Sequence, residues 1–479
     1  MIRINSFGAQ LFACVAVNMC SHFVTGTALG WATAALPKLT GPDLTNPLND
    51  DQIGWIMSIM GVGAATAPIL TWLFIDKVGR KPILVMCAAP MILSYVIITV
   101  KQEYEFLLIA RVFCGTAMGF SFASVPLFIG EITDNKIRGA LGAIGTVGMN
   151  SGTLFTIVIA PYVNISDLDL ILALVSSVLI FLLLFVPESP YYHVMKGDTV
   201  KATESLIWLK RSTDVKADLV LITEYIENKK SETSETFDII KKRGNRKALL
   251  ITIVLVLMQV YSGCNAIPTY AYDIFDKSGV DISLDTLVMV MSGVSMIASL
   301  VGVFVVDSLG RRPVLLIGSS AMAVSLIATG IFYTLQMNDY DVSGFTWVPF
   351  AGVVGYTISN SAGPLSLPPI VMSEYFSTTV KAKASMWYTI LLAVGGSSSA
   401  KLFQVSADYL GLGLTFFLCS SPLIVGGVLL YFIMPETKGC SLQNIEDMHN
   451  GDNSTVAERS AERSPSSVTT MPAASWRQP

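Results

Sequence analysis

The chain reads as an all-α integral membrane protein: twelve membrane-crossing helices in two six-helix bundles, with both termini cytoplasmic. Three observations lead there. The first is composition. Of 479 residues, 52% are hydrophobic and only 14% charged, and a mean hydropathy of +0.60 sets the chain among membrane proteins rather than soluble domains. The second is spacing. Twelve apolar runs fall at roughly 7–35, 53–75, 83–100, 105–130, 139–163, 170–186, 248–272, 286–306, 314–335, 346–373, 384–407 and 413–434. They have the length a helix needs to cross a bilayer, and lipid forces each to satisfy its own backbone hydrogen bonds. The third is charge placement. An even number of crossings puts both termini on one side, and on that count 26 of the 31 Lys and Arg lie on the terminal side and three opposite. The short loops alone split nine to three in the same sense, which marks the terminal side as cytoplasmic.

Taken in order, the first run lacks a basic leader and a cleavage site and is a retained helix. The second and third runs are joined by Asp76-Lys77-Val78-Gly79-Arg80-Lys81-Pro82. A loop this short makes the two helices antiparallel neighbours; Gly79 permits the reversal, and Pro82 suits a first helical turn. The pattern returns as Asp307-Ser308-Leu309-Gly310-Arg311-Arg312-Pro313. Glu131 and Arg138 are matched in the second half by Glu374 and Lys381, and Pro187-Glu188-Ser189 by Pro435-Glu436-Thr437. The chain is therefore a duplication in which both copies keep one orientation, so the bundles are related by an axis along the membrane normal. Residues 1–187 form the first bundle and 248–437 the second. Between them, 188–247 carries 22 charged residues and forms short cytoplasmic helices; 438–479 is a largely disordered cytoplasmic tail.

The sequon Asn164-Ile165-Ser166 sits in so short an outer loop that modification is not expected, and Asn453-Ser454-Thr455 lies on the cytoplasmic side. Seven cysteines show no C-x-x-C spacing, six lie inside apolar runs, and they imply neither disulfide nor metal. A net charge of −4 argues for no nucleic acid. With three histidines, no nucleophile–base motif and no phosphate-binding glycine loop, the chain is not an enzyme and needs no cofactor.

Asp76-x-x-Gly79-Arg80-Lys81, Arg111, Glu131…Arg138-Gly139, Pro187-Glu188-Ser189-Pro190, Gln259…Ser262-Gly263-x-Asn265, Asp307-x-x-Gly310-Arg311-Arg312 and Glu374…Lys381 together resemble the sugar porter family of the major facilitator superfamily. Gly30-Trp31 and Lys401 are most similar to its insect facilitated trehalose and glucose transporters. The resemblance implies two bundles that rock about a central site, in a multi-pass plasma-membrane protein that acts as a monomer. It also implies facilitative uniport of a small neutral sugar or polyol. The alternative on the same fold is a sugar-binding sensor that does not transport.

Gln259, Ser262, Asn265 and Thr269 recur every three or four residues in the seventh run and share one helical face. Amide and hydroxyl groups both donate and accept, as an uncharged polyol requires. With Tyr270 and Thr146 they form the expected substrate site; the competing reading is polar glue between helices. Against the family pattern, Thr146 replaces a glutamine, Val260 a second glutamine, Ser295 an asparagine, Pro369 a tryptophan, and Leu392-Ala393 an Asn-Trp pair. Tyr261, Trp387 and Tyr388 are aromatic candidates to compensate. Arg111 and Lys401 are read as structural residues near the outer face, where Arg111 can snorkel. No acidic residue falls in the interior of the runs, and Ala32 stands where proton-coupled relatives carry aspartate. Passive transport follows. Asp76, Arg80, Glu131, Arg138, Asp307, Arg311, Arg312, Glu374 and Lys381 meet at the cytoplasmic ends and are read as a charge gate between the bundles.

Overall fold

A backbone in lipid has no partner but itself, and the described residues are helical almost throughout. The computed structural model describes residues 6–40, 48–134, 138–231, 243–364, 367–376 and 378–436. In the first half α1 (Ser6–Thr40), α2 (Asp50–Val78), α3 (Arg80–Val100), α4 (Tyr104–Ile132), α5 (Arg138–Ile159) and α6 (Ile165–Leu184) follow one another. The linking segment folds as α7 (Pro190–Met195), α8 (Thr199–Lys210) and α9 (Lys216–Ser231), which enclose a small core of Leu206, Val215, Ile222 and Ile226.

The second half opens with α10 (Arg243–Tyr261), which breaks and resumes as the short α11 (Ala266–Thr269) and α12 (Ala271–Ser278). Then come α13 (Leu284–Leu309), α14 (Arg311–Met337), α15 (Val348–Ala362), α16 (Leu367–Tyr375) and α17 (Thr378–Ile433). Gly411 breaks α17 with φ 82° and ψ 162°, so this element carries both the eleventh and the twelfth apolar runs. Ten segments among the described residues are long and apolar enough to cross a membrane.

Small residues let helices touch. A Cβ at Gly63 would stand 2.0 Å from the Val112 carbonyl oxygen, and one at Gly115 would stand 1.7 Å from that of Met60. Backbones of α2 and α4 are therefore in contact, the kind of packing that replaces the hydrophobic effect where the solvent is itself apolar.

Both repeats make the same turn. Gly79 has φ 111° and Gly310 has φ 95°, in the region open to glycine. A side chain at Gly79 would also stand 2.6 Å from Glu188 Oε2, and one at Gly310 3.0 Å from Glu436. These two glutamates explain the loops. Glu188 accepts from the Arg80 and Lys81 N–H groups and Glu436 from those of Arg311 and Arg312, at 2.9–3.2 Å. Each carboxylate thus caps the first turn of the helix after the basic loop, where its charge opposes the helix dipole.

Three sequence expectations need correction. The sixth run was begun at residue 170; its helix starts at Ile165, capped by the Asn164 side chain accepting from Asp167 N–H at 2.8 Å. Asp169 is consequently inside a membrane helix and fully buried, so the bundle interior does contain an acid. The seventh run reads as one polar face on a helix weakened at Gly263 and Pro268; the structure goes further, since Gly263, at φ 89°, ends α10 and residues 262–265 form a turn. Arg111 does not snorkel: it is 2% exposed.

Candidate functional site

The two halves meet along α5 and α13. At the end opposite the basic loops, α2 also packs on α17, and the later part of α1 on α11 and α12. Polar side chains line this seam. Ser262 Oγ donates to the Gln259 carbonyl oxygen at 2.7 Å and lies 3.2 Å from the Tyr356 hydroxyl. Tyr356 and Asn360 are one turn apart on α15 and share a face. Next to Asn360, Ser361 Oγ is 2.9 Å from Ser295 Oγ on α13, and the Ser295 hydroxyl donates to Asn150 Oδ1 on α5 at 3.5 Å. A string of uncharged polar groups therefore runs from α10 through α15 and α13 into the first half.

Several of its atoms are buried without a partner: Gln259 Oε1, Asn360 Oδ1 and Asn150 Nδ2. Buried polar groups are ordinarily hydrogen-bonded, so each one left open asks for an explanation. Of the residues expected at the site, Ser262 belongs to this string, and Gln259 joins it through its backbone carbonyl oxygen. Thr146 is half-buried on α5, one turn before Asn150. Asn265 lies against Gly396 of α17, its Nδ2 2.6 Å from where a Cβ there would stand. Thr269 donates its hydroxyl to the Asn265 carbonyl oxygen. Tyr270 stacks on Phe403 with centroids 5.7 Å apart, its buried hydroxyl unpartnered.

Among the aromatic candidates, Trp387 is 53% exposed. Tyr261 bonds Ser398 at 2.9 Å. Pro369 shows helical backbone in α16, and its side chain lies outside the described residues. At Ala393 the α17 backbone packs on α2.

Asn150, Asn360, Tyr356 and Ser361 had not been singled out. Asn is rare enough inside a membrane helix that its mere presence was the available signal. The same holds for His22, buried in a π-helical turn at Met19–Phe23 with Nδ1 unpartnered and Phe122 edge-on at 5.9 Å. Such turns frequently mark functional positions.

A second cluster lies inside the first half. The Arg111 guanidinium lies 5.1 Å from the Trp31 ring and donates to the Ile56 and Ala28 carbonyl oxygens at 3.4 Å. Asp169 is within electrostatic reach of Arg111 and faces Trp31, without closing a hydrogen bond of ordinary geometry.

Lys401, read as structural, joins the halves. Its Nζ is 2.6 Å from Asp51 Oδ1 at the start of α2 and lies over Trp55, while Gln404 donates to the Asp50 carbonyl oxygen. At the basic-loop end Arg80 pairs with Glu131 at 3.0 Å and with Asp76 at 3.1 Å, and Arg312 donates to the Tyr431 carbonyl oxygen at 2.6 Å, each contact lying within one half. Ser189 also donates to Glu131. The side chains of Arg138, Asp307, Glu374 and Lys381 fall outside the described residues.

A family model described as sugar (and other) transporter matches residues 12–449. The chain belongs to that family. This transporter is 28% identical over 445 residues to the facilitated trehalose transporter Tret1 of Culex quinquefasciatus, covering 91% of the chain and 85% of the relative. It is likewise 28% identical over 444 residues to Tret1 of Apis mellifera ligustica, covering 91% and 87%. Among solved structures it resembles the proton:xylose symporter XylE of the major facilitator superfamily bound to 6-bromo-6-deoxy-D-glucose, at TM-score 0.73 and 17% identity, over 92% of this chain and 98% of that one. An inward-open XylE from E. coli matches at 0.73 and 16%, over 92% and 99%. The transporter has the all-helical fold of that superfamily in a multi-pass membrane protein, and it is not an enzyme.

Proposed function

We propose that the transporter carries a small neutral polyhydroxylated solute, a sugar in the first instance, passively and by alternating access. Twelve spans place both termini and the basic loops in the cytoplasm of a cell whose plasma membrane it serves, and one chain suffices as the carrier. The observation that carries the reading is the uncharged polar string across the seam between the halves, with open amide groups on both sides of it. Trehalose and glucose are the first solutes to try, because the named relatives carry trehalose.

Alternation needs a closure at each end. The Lys401–Asp51 pair with Gln404 supplies the outer one in this structure. For the inner one, we assign the charges of both basic-loop ends: Asp76, Arg80, Glu131 and Arg138 of the first half opposite Asp307, Arg311, Arg312, Glu374 and Lys381 of the second. They pair across the seam when the cytoplasmic side closes and part when it opens, which fits the intra-half pairs seen at that end.

Passive transport has its own test. The buried acid and base, Asp169 and Arg111, both belong to the first half, and neither hydrogen-bonds a member of the polar string. Initial uptake into proteoliposomes at a fixed sugar gradient is expected to be the same with and without an imposed pH gradient. Uphill accumulation that a protonophore collapses would contradict uniport.

A further inference from the structure

Asn150 brings a carboxamide from the first half to a string that the second half otherwise builds. We propose that Asn150 contacts the transported solute and helps set which solutes are accepted, as the first-half partner of Gln259 and Asn360. This rests on the carrier reading above and extends it to a residue outside the expected set.

Burial states the problem. Asn150 is 9% exposed, Gln259 7% and Asn360 8%, yet Asn150 Nδ2, Gln259 Oε1 and Asn360 Oδ1 have no hydrogen-bond partner. An amide serving only to glue α5 to α13 would bring its NH2 to a partner on the other helix. Here its oxygen alone is engaged, by a long bond from Ser295 at 3.5 Å. That contact holds the oxygen and leaves the two N–H donors available.

Chemistry narrows the ligand. Asn150 supplies one open donor group from the first half, and Gln259 and Asn360 supply two open carbonyl acceptors from the second. Hydroxyls both donate and accept, so a neutral polyhydroxy compound can satisfy all three. An anion would meet two carbonyl oxygens, and the string offers no carboxylate to a cation. Position adds the functional consequence. A solute can bias the rocking of the halves only if it interacts differently with the two states. A ligand held by Asn150 and Asn360 together touches both halves, so its binding favours the state in which they are near.

The test uses the full-length transporter in proteoliposomes, with labelled glucose and trehalose as the probes in counterflow. Asn150→Ala is expected to weaken apparent affinity about five- to tenfold, the effect of one lost hydrogen bond to a neutral ligand. The exchange of residues Asn150→Ser with Ser295→Asn returns a carboxamide to the same contact from α13. It should recover affinity relative to Asn150→Ser alone, which simple loss of helix packing would not predict. Should Asn150→Ala fail to reach the membrane, Asn150→Ser and the exchanged pair decide. Parental affinity and sugar preference in Asn150→Ala or Asn150→Ser would overturn the assignment, as would an exchanged pair no better than Asn150→Ser. A parent protein that exchanges neither sugar would contradict the carrier reading instead, so the two failures are told apart.

Discussion

Arg111→Ala is expected to cut the amount of folded transporter in the membrane by an order of magnitude, and Asp169→Asn in the same chain should restore much of it. Arg111 and Asp169 are 2% and 0% exposed. Arg111 acts on the buried Asp169 carboxyl electrostatically and not through a closed ion pair; where removing a cation strands a buried charge the loss is typically about 3–5 kcal/mol, whereas neutralising both groups removes the problem. Part of the loss in Arg111→Ala will be packing, because the guanidinium also lies against Trp31 and bonds two backbone carbonyl oxygens. Rescue should therefore be incomplete. Size-exclusion profiles and melting temperature in detergent are the readout. Equal yields from Arg111→Ala and the double variant would mean that Asp169 carries no charge dependent on Arg111.

Gly61→Val is expected to fold and yet lose transport by more than tenfold. A Cβ there would stand 1.7 Å from Ser397 Oγ and 2.7 Å from the Ala393 carbonyl oxygen of α17. The serine can turn aside, but the backbone cannot. Gly54, seven residues earlier, meets Gln404 and Lys401 in the same way. A wedge at this seam holds the halves apart at the outer end while leaving the interior of each intact. Cysteine labelling from the outside, near residue 404, should rise in Gly61→Val as transport falls. Parental labelling and transport would show that α2 and α17 need not close. The same assay with a cysteine at the cytoplasmic end of α16 tests the inner charge gate. Glu374→Gln or Arg312→Ala should raise labelling and slow the cycle; if both stay at parental values, the gate is not made of these charges.

Much of the fold was legible because the bilayer imposes one length and one backbone solution on every crossing. The duplication was legible because the turn chemistry at Gly79 and Gly310 repeats. What the repeated glutamates do there was not: Pro-Glu-Ser and Pro-Glu-Thr read as the closing punctuation of each half, and only folding brings Glu188 and Glu436 back onto the helix starts at Arg80 and Arg311. Asp169 was missed because hydropathy sets the edge of a run at a charged residue. The cap at Asn164, which starts the helix five residues before Asp169, was the overlooked cue. The face drawn through Gln259, Ser262, Asn265 and Thr269 crosses Gly263, a position legible as a weak point in the helix but not as the full break that it is. Asn150 and Lys401 matter through partners 145 and 350 residues away, a relation that no local pattern records.

Counterflow tests the account most directly. Proteoliposomes holding the transporter and loaded with unlabelled glucose or trehalose are placed in a trace of the same labelled sugar, with no pH gradient or membrane potential. A passive alternating-access carrier must draw label inward transiently above its outside concentration and then release it as the unlabelled gradient decays. Saturable sugar binding in detergent, with label entering no faster than in protein-free vesicles, would make this protein a sensor on a carrier's fold.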